Sequence, residues 1–171
     1  MKARSGKQAI YYAVDQGATV ISMSFSMSSP SPELQQALSY AASKRVVCVA
    51  SAGNGGAERK TYPAAFSRVI GVGSVNARDL RSPLSNHGDS AKTSAPGEAV
   101  ITTYPGNNYA GVWGTSFATA LVCGAAALMQ HVRPGASYRR EERPGEGAKD
   151  RPGHGGGQVI VGALDFALPE R

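Results

Sequence analysis

Gly114-Thr115-Ser116-Phe117-Ala118-Thr119-Ala120-Leu121-Val122-Cys123-Gly124-Ala125-Ala126-Ala127-Leu128-Met129 is a small-residue segment that opens on a Gly-Thr-Ser turn. From Phe117 onward it is rich in Ala and Leu and free of proline, and the Thr-Ser pair ahead of it can cap a first turn. The sequence therefore predicts a helix beginning near Ser116. That puts the serine at the positive end of the helix's peptide dipoles, where negative charge developing on a substrate oxygen is favoured. Thr115 and Ser116 would also serve as plain caps of a buried helix, and the segment alone does not separate the two readings.

The stretches upstream separate them. In order come Val20-Ile21-Ser22-Met23-Ser24-Phe25-Ser26, then Val47-Cys48-Val49-Ala50-Ser51-Ala52-Gly53-Asn54-Gly55-Gly56, then Tyr62-Pro63-Ala64. Val69 to Val75, Leu84-Ser85-Asn86-His87-Gly88 and Ala95-Pro96-Gly97 follow. With the Gly-Thr-Ser-x-Ala start and its Ala-rich continuation, this succession resembles the subtilisin-like serine proteases over roughly residues 5–131.

The resemblance implies that Ser116 is the nucleophile and Asn54 the oxyanion donor, with the Ser116 amide as second donor. It implies that Ser24, Phe25 and Ser26, with Ser51, Ala52, Gly53 and Thr115, bind an extended peptide or protein substrate along main-chain edges and line an uncharged pocket suited to apolar residues. Glycines at 53, 55 and 56 would turn the loop sharply and keep bulk off the substrate. Thr61 would narrow the pocket base. Calcium rests on the resemblance alone, because no acidic ligand cluster stands out in the sequence, and no other cofactor is expected.

The rest of a triad does not follow. The aspartate and histidine of these proteases stand in Asp-(Thr/Ser)-Gly and His-Gly-Thr-His motifs, and neither occurs in the 171 residues. Asp15 lies in a helical stretch before glycine, His87 in a turn, His131 at a helix end and His154 in a Gly-rich tail. Ala120 stands where the family usually has proline. The chain therefore reads as the C-terminal half of a serine-type endopeptidase domain, the alternative being a catalytically inactive peptide-binding or inhibitory module derived from a protease.

Periodicity supports an α/β class with a parallel sheet covered by helices; the resemblance implies helices on both faces and a sheet that is incomplete because the N-terminal part of the domain is absent. Residues 7–16 place Ile10, Ala13 and Val14 on one face and stop at Gly17. Ala18 to Ser24 reads as a buried strand. Ser31-Pro32-Glu33 announces a helix that turns Leu34, Ala37, Leu38 and Ala41 inward, and Arg45 to Ala50 reads as a strand covered on both faces. Arg68 to Val75 is a further strand. Its Gly71-Val72-Gly73 lacks the third glycine and following helix of a dinucleotide site. Glu98 to Trp113 reads as a hairpin.

Residues 1–131 are thus read as the protease-like part, 132–157 as a Gly/Pro/charge-rich linker, and 158–171 as a segment that weakly matches the family's closing helix. An incomplete sheet exposes an edge strand and invites self-association. The net charge of +6 is spread along the chain, with no basic stripe, so nucleic acid is not an expected partner. No run reads as long enough to cross a membrane. Export is implied by the resemblance, whereas Lys2-Ala3-Arg4-Ser5-Gly6-Lys7 is too polar for a signal-peptide core. Cys48 and Cys123 read as small buried hydrophobes.

Overall fold

The computed structural model describes residues 3–134, 137–138 and 166–167. Strands β1 (Val20–Met23), β2 (Val47–Ser51), β3 (Val69–Val75) and β4 (Thr93–Pro96) form one sheet in that order, every pair parallel. Period-two alternation in β2 divides the core. Cys48 and Ala50 join Ile10, Val14, Leu34, Ala37, Leu38 and Ala41 from helices α1 (Ala3–Asp15) and α2 (Pro32–Ser43) on one face. Val47 and Val49 join Ala118, Val122 and Ala126 of α3 (Thr115–Val132) on the other. Both faces are covered, as expected of a parallel sheet. β5 (Val100–Tyr104) and β6 (Asn108–Val112) make the expected hairpin outside this sheet.

Helix α2 follows its start signal. Ser31 is the N-cap, its Oγ accepting from the Leu34 amide at 3.3 Å, and Pro32 occupies the first turn. Three expectations are revised. Strand β1 is an edge rather than a buried strand: Ser22 is exposed, and only Met23 is fully buried. Strand β4 was not anticipated, because Thr93-Ser94-Ala95-Pro96 carries no apolar run; a short strand ending in proline suits an edge. Helix α3 is long and apolar enough to meet the length and composition test for a membrane span, contrary to expectation. It packs on all four strands of the sheet, and that core role accounts for its composition.

Most of the expected linker and closing segment, 132–157 and 158–171, lies outside the described residues. Within them, Ser137–Tyr138 (β7) pairs antiparallel with Phe166–Ala167 (β8), so these two residues of the expected closing helix are strand.

Candidate active site

The loops that follow β1 and β2 and the start of α3 meet at the C-terminal ends of the strands, where open parallel sheets form their crevice. Helix α3 is capped by Gly114 without a side-chain bond, so the expected Thr-Ser cap is not made. Thr115 is fully buried and turned toward the β2 loop instead. Its amide and its Oγ1 both donate to Asn54 Oδ1, at 2.9 and 2.8 Å, and its Oγ1 accepts from the Gly53 amide at 3.2 Å. A backbone N–H can only donate, so the Asn54 atom facing Thr115 must be the oxygen. Both Nδ2 protons therefore point away from Thr115. Ser116, one residue on, is partly exposed, and its carbonyl accepts from Ser24 Oγ at 3.5 Å. Sequence positions 24, 53, 54, 115 and 116 are thus brought together.

Other expected substrate contacts are redistributed. Ala52 donates its amide to Val72 and accepts at its carbonyl from Thr61 Oγ1 and Asn86 Nδ2, at 2.7 and 2.9 Å. Gly53 donates to Thr115 and accepts from the Asn86 amide. Ser51 is buried in β2 opposite Val72. Both amides and the Ala52 carbonyl are thus engaged within the fold, and Thr61 is a strut under the loop. Ser24 and Ser26 are exposed beyond the end of β1, while the Phe25 ring packs on the α1/α2 core.

The glycine at 53 answers to Asn86 rather than to substrate bulk: a Cβ there would lie 2.6 Å from Asn86 Nδ2, at a φ of +95°. Asn86 was missed as a functional position. It is buried, its Oδ1 accepts from Gly55 N at 3.0 Å and Ala57 N at 3.3 Å, and its Nδ2 holds Ala52 O. It positions the whole loop that carries Asn54.

A likeness to known proteins now has a geometry to rest on. The subtilase family model matches residues 1–145. The chain belongs to the subtilase family. Thermitase of Thermoactinomyces vulgaris is 44% identical over 120 residues, covering 70% of this chain and 43% of thermitase. Subtilisin BL of Lederbergia lenta is 39% identical over 127 residues, covering 74% of this chain and 47% of its own length. The solved structure of the prenylagaramide maturation protease PagA aligns with a TM-score of 0.74 at 29% identity, over 77% of this chain and 50% of that one. This subtilase chain therefore spans about half the length of the proteins it matches.

Among its described residues no imidazole is bonded to Ser116. His131 lies fifteen residues further along α3, about 22 Å away at helical rise. His87 is half-buried in its turn, its Nδ1 without a partner and its amide on the Ala57 carbonyl. No three His, Cys, Asp or Glu side chains converge among the described residues. Where the carbonyls of Phe66 and Val69 do converge, Lys92 Nζ fills the space at 2.5 and 2.6 Å.

Proposed function

We propose that this chain supplies the nucleophile and oxyanion groups of a serine-type endopeptidase. Ser116 Oγ attacks a peptide carbonyl while a base from elsewhere takes its proton, the C–N bond breaks, and the amine leaves with that proton. Asn54 Nδ2 and the Ser116 amide donate to the developing oxyanion, and the exposed 24–26 segment takes the peptide as an added strand. The observation that carries this reading is the double anchoring of Asn54 Oδ1 on Thr115. It holds the carboxamide rigid, one residue from Ser116, with its donors outward. In subtilisin, which supplies this magnitude, loss of the oxyanion asparagine lowers turnover by about 10² to 10³.

The proton acceptor sets the test. The purified chain is expected to hydrolyse apolar peptide esters no faster than its Ser116→Ala variant, yet to bind a peptide boronate through a tetrahedral adduct on Ser116. Ser116→Ala and Asn54→Leu should each weaken that binding by about tenfold or more, the worth of one charge-assisted bond. Boronate affinity unchanged in both variants would sink the reading. That no imidazole is bonded to Ser116 among the described residues also favours a second reading, a peptide-binding module without turnover, whose signature is measurable peptide affinity that survives Ser116→Ala.

A further inference from the structure

The sequence holds one Asn-Gly pair, Asn54-Gly55, and both residues are exposed in the loop that follows β2. Such a pair is a reactive setting for loss of a side-chain amide, because glycine puts no Cβ in the way when its nitrogen approaches the asparagine Cγ. Two events are required: the carboxamide must swing its Cγ onto the Gly55 nitrogen, and that nitrogen must give up its proton. Named bonds oppose both. The Thr115 amide and hydroxyl hold Asn54 Oδ1 at 2.9 and 2.8 Å, which fixes the carboxamide. The Gly55 amide donates to Asn86 Oδ1 at 3.0 Å, so its proton is engaged by another loop. Asn86 is itself buried and tied through Nδ2 to the Ala52 carbonyl at 2.9 Å, which keeps the acceptor in place.

We propose that Asn54-Gly55 is a deamidation site held in check by Asn86, and that its conversion turns the outward donor of the site into an acceptor. In the reaction the Gly55 nitrogen bonds to Asn54 Cγ, the Cγ–Nδ2 bond breaks, and ammonia leaves with the proton from the Gly55 nitrogen. Water then opens the cyclic imide. Addition at Cγ leaves aspartate at position 54, and addition at the main-chain carbonyl carbon leaves isoaspartate. Nothing is oxidised or reduced, and water is the one co-reactant. The Thr115 amide and hydroxyl remain good partners for a carboxylate oxygen, so an aspartate keeps the same anchor. Its outward atom changes from a nitrogen with two protons to an oxygen with none, carrying charge of the same sign as a developing oxyanion. That consequence rests on the reading of Asn54 as oxyanion donor, whereas the modification itself does not.

The full chain is held in mildly alkaline buffer, folded and in urea. Its tryptic peptide 46–59 is followed by mass spectrometry for replacement of NH2 by OH, with isoaspartate read by enzymatic methylation. The folded parent is expected to convert about tenfold or more slower than the unfolded chain, the effect of a bond that must open before the nitrogen can react. Asn86→Ala should convert about fivefold or more faster than the parent, after subtraction of what its unfolded fraction, known from urea titration, contributes. Asn86→Asp keeps an acceptor for the Gly55 amide and should stay within about twofold of the parent on the same basis. A folded parent converting at the unfolded rate would overturn the restraint even if neither variant folds. Asn86→Ala no faster than the parent, or Asn86→Asp as fast as Asn86→Ala, would overturn the part given to Asn86. The converted fraction, separated by its extra negative charge, should bind the peptide boronate about tenfold or more weakly than the parent. Conversion in the expected pattern with boronate affinity unchanged would overturn Asn54 as oxyanion donor and leave the modification site standing.

Discussion

At the scale of single residues, the proposed function divides the site into groups that would meet the substrate and groups that hold them in place. Asn54 stands out in the sequence only through the resemblance of Val47 to Gly56 to the strand and loop of the protease family. Asn86 does not, because its partners are main-chain atoms 29 to 34 positions upstream, and no spacing rule encodes a side chain that braces another loop's backbone. Asn86→Ala removes one buried and two part-buried bonds and strands two amides, so it should cost about 2–4 kcal/mol, read as a lower urea midpoint at unchanged slope. Cys48 carries a pH dependence. Burial, with a smaller contribution from Cys123, pushes its thiol from 9.0 up to about 12. The unfolded chain then loses this proton first. Stability is full below pH 9 and falls as pH rises toward about 12, by about 1.4 kcal/mol per pH unit for one thiol. Urea unfolding across that range should show a shallower fall in Cys48→Ala than in the parent.

At the scale of elements, two helices end alike with opposite residue choices. After α1, Gly17 adopts φ +82°, its amide reaching Val14 O and the Ala18 amide reaching Ala13 O. After α2, Arg45 adopts φ +60° with the same pair of bonds, to Ala42 and Ala41. Both are Schellman ends, in which glycine is unstrained and a side chain costs about 1–2 kcal/mol. Gly17 was legible as a stop. Arg45 was not, because an arginine before an apolar run reads as strand, and the turn is imposed by α2 docking its buried face. A Cβ at Gly17 meets nothing within 4 Å, so Gly17→Ala should lose about 1 kcal/mol from backbone strain alone. Arg45→Gly, at an exposed position, should gain about 0.5–1 kcal/mol. Thermal melts of the pair would refute the account if both substitutions moved stability in the same direction.

At the scale of the whole molecule, the parallel sheet was legible because β2 and β3 are apolar runs bounded by charge and glycine. Which strands lie at its edges was not, because edge position depends on what is paired alongside rather than on the strand's own residues. The difference has a dynamic consequence. Every residue of β2 and β3 is buried, and each strand is bonded on both sides. The β5–β6 hairpin is a two-stranded ribbon with Ile101 71% and Tyr109 75% exposed, an arrangement of marginal stability by itself. Its base is closed by the Gly114 amide on the Gly97 carbonyl at 2.8 Å, so it can open without disturbing Thr115 and Asn54. Native-state hydrogen exchange should therefore show hairpin amides opening at a small fraction of the global free energy, β1 and β4 intermediate, and β2 and β3 near the global value. Hairpin amides that exchange only through global unfolding would mean that the ribbon is part of the cooperative core, and the start of α3 would then owe its position to the hairpin rather than to the clamp beneath it.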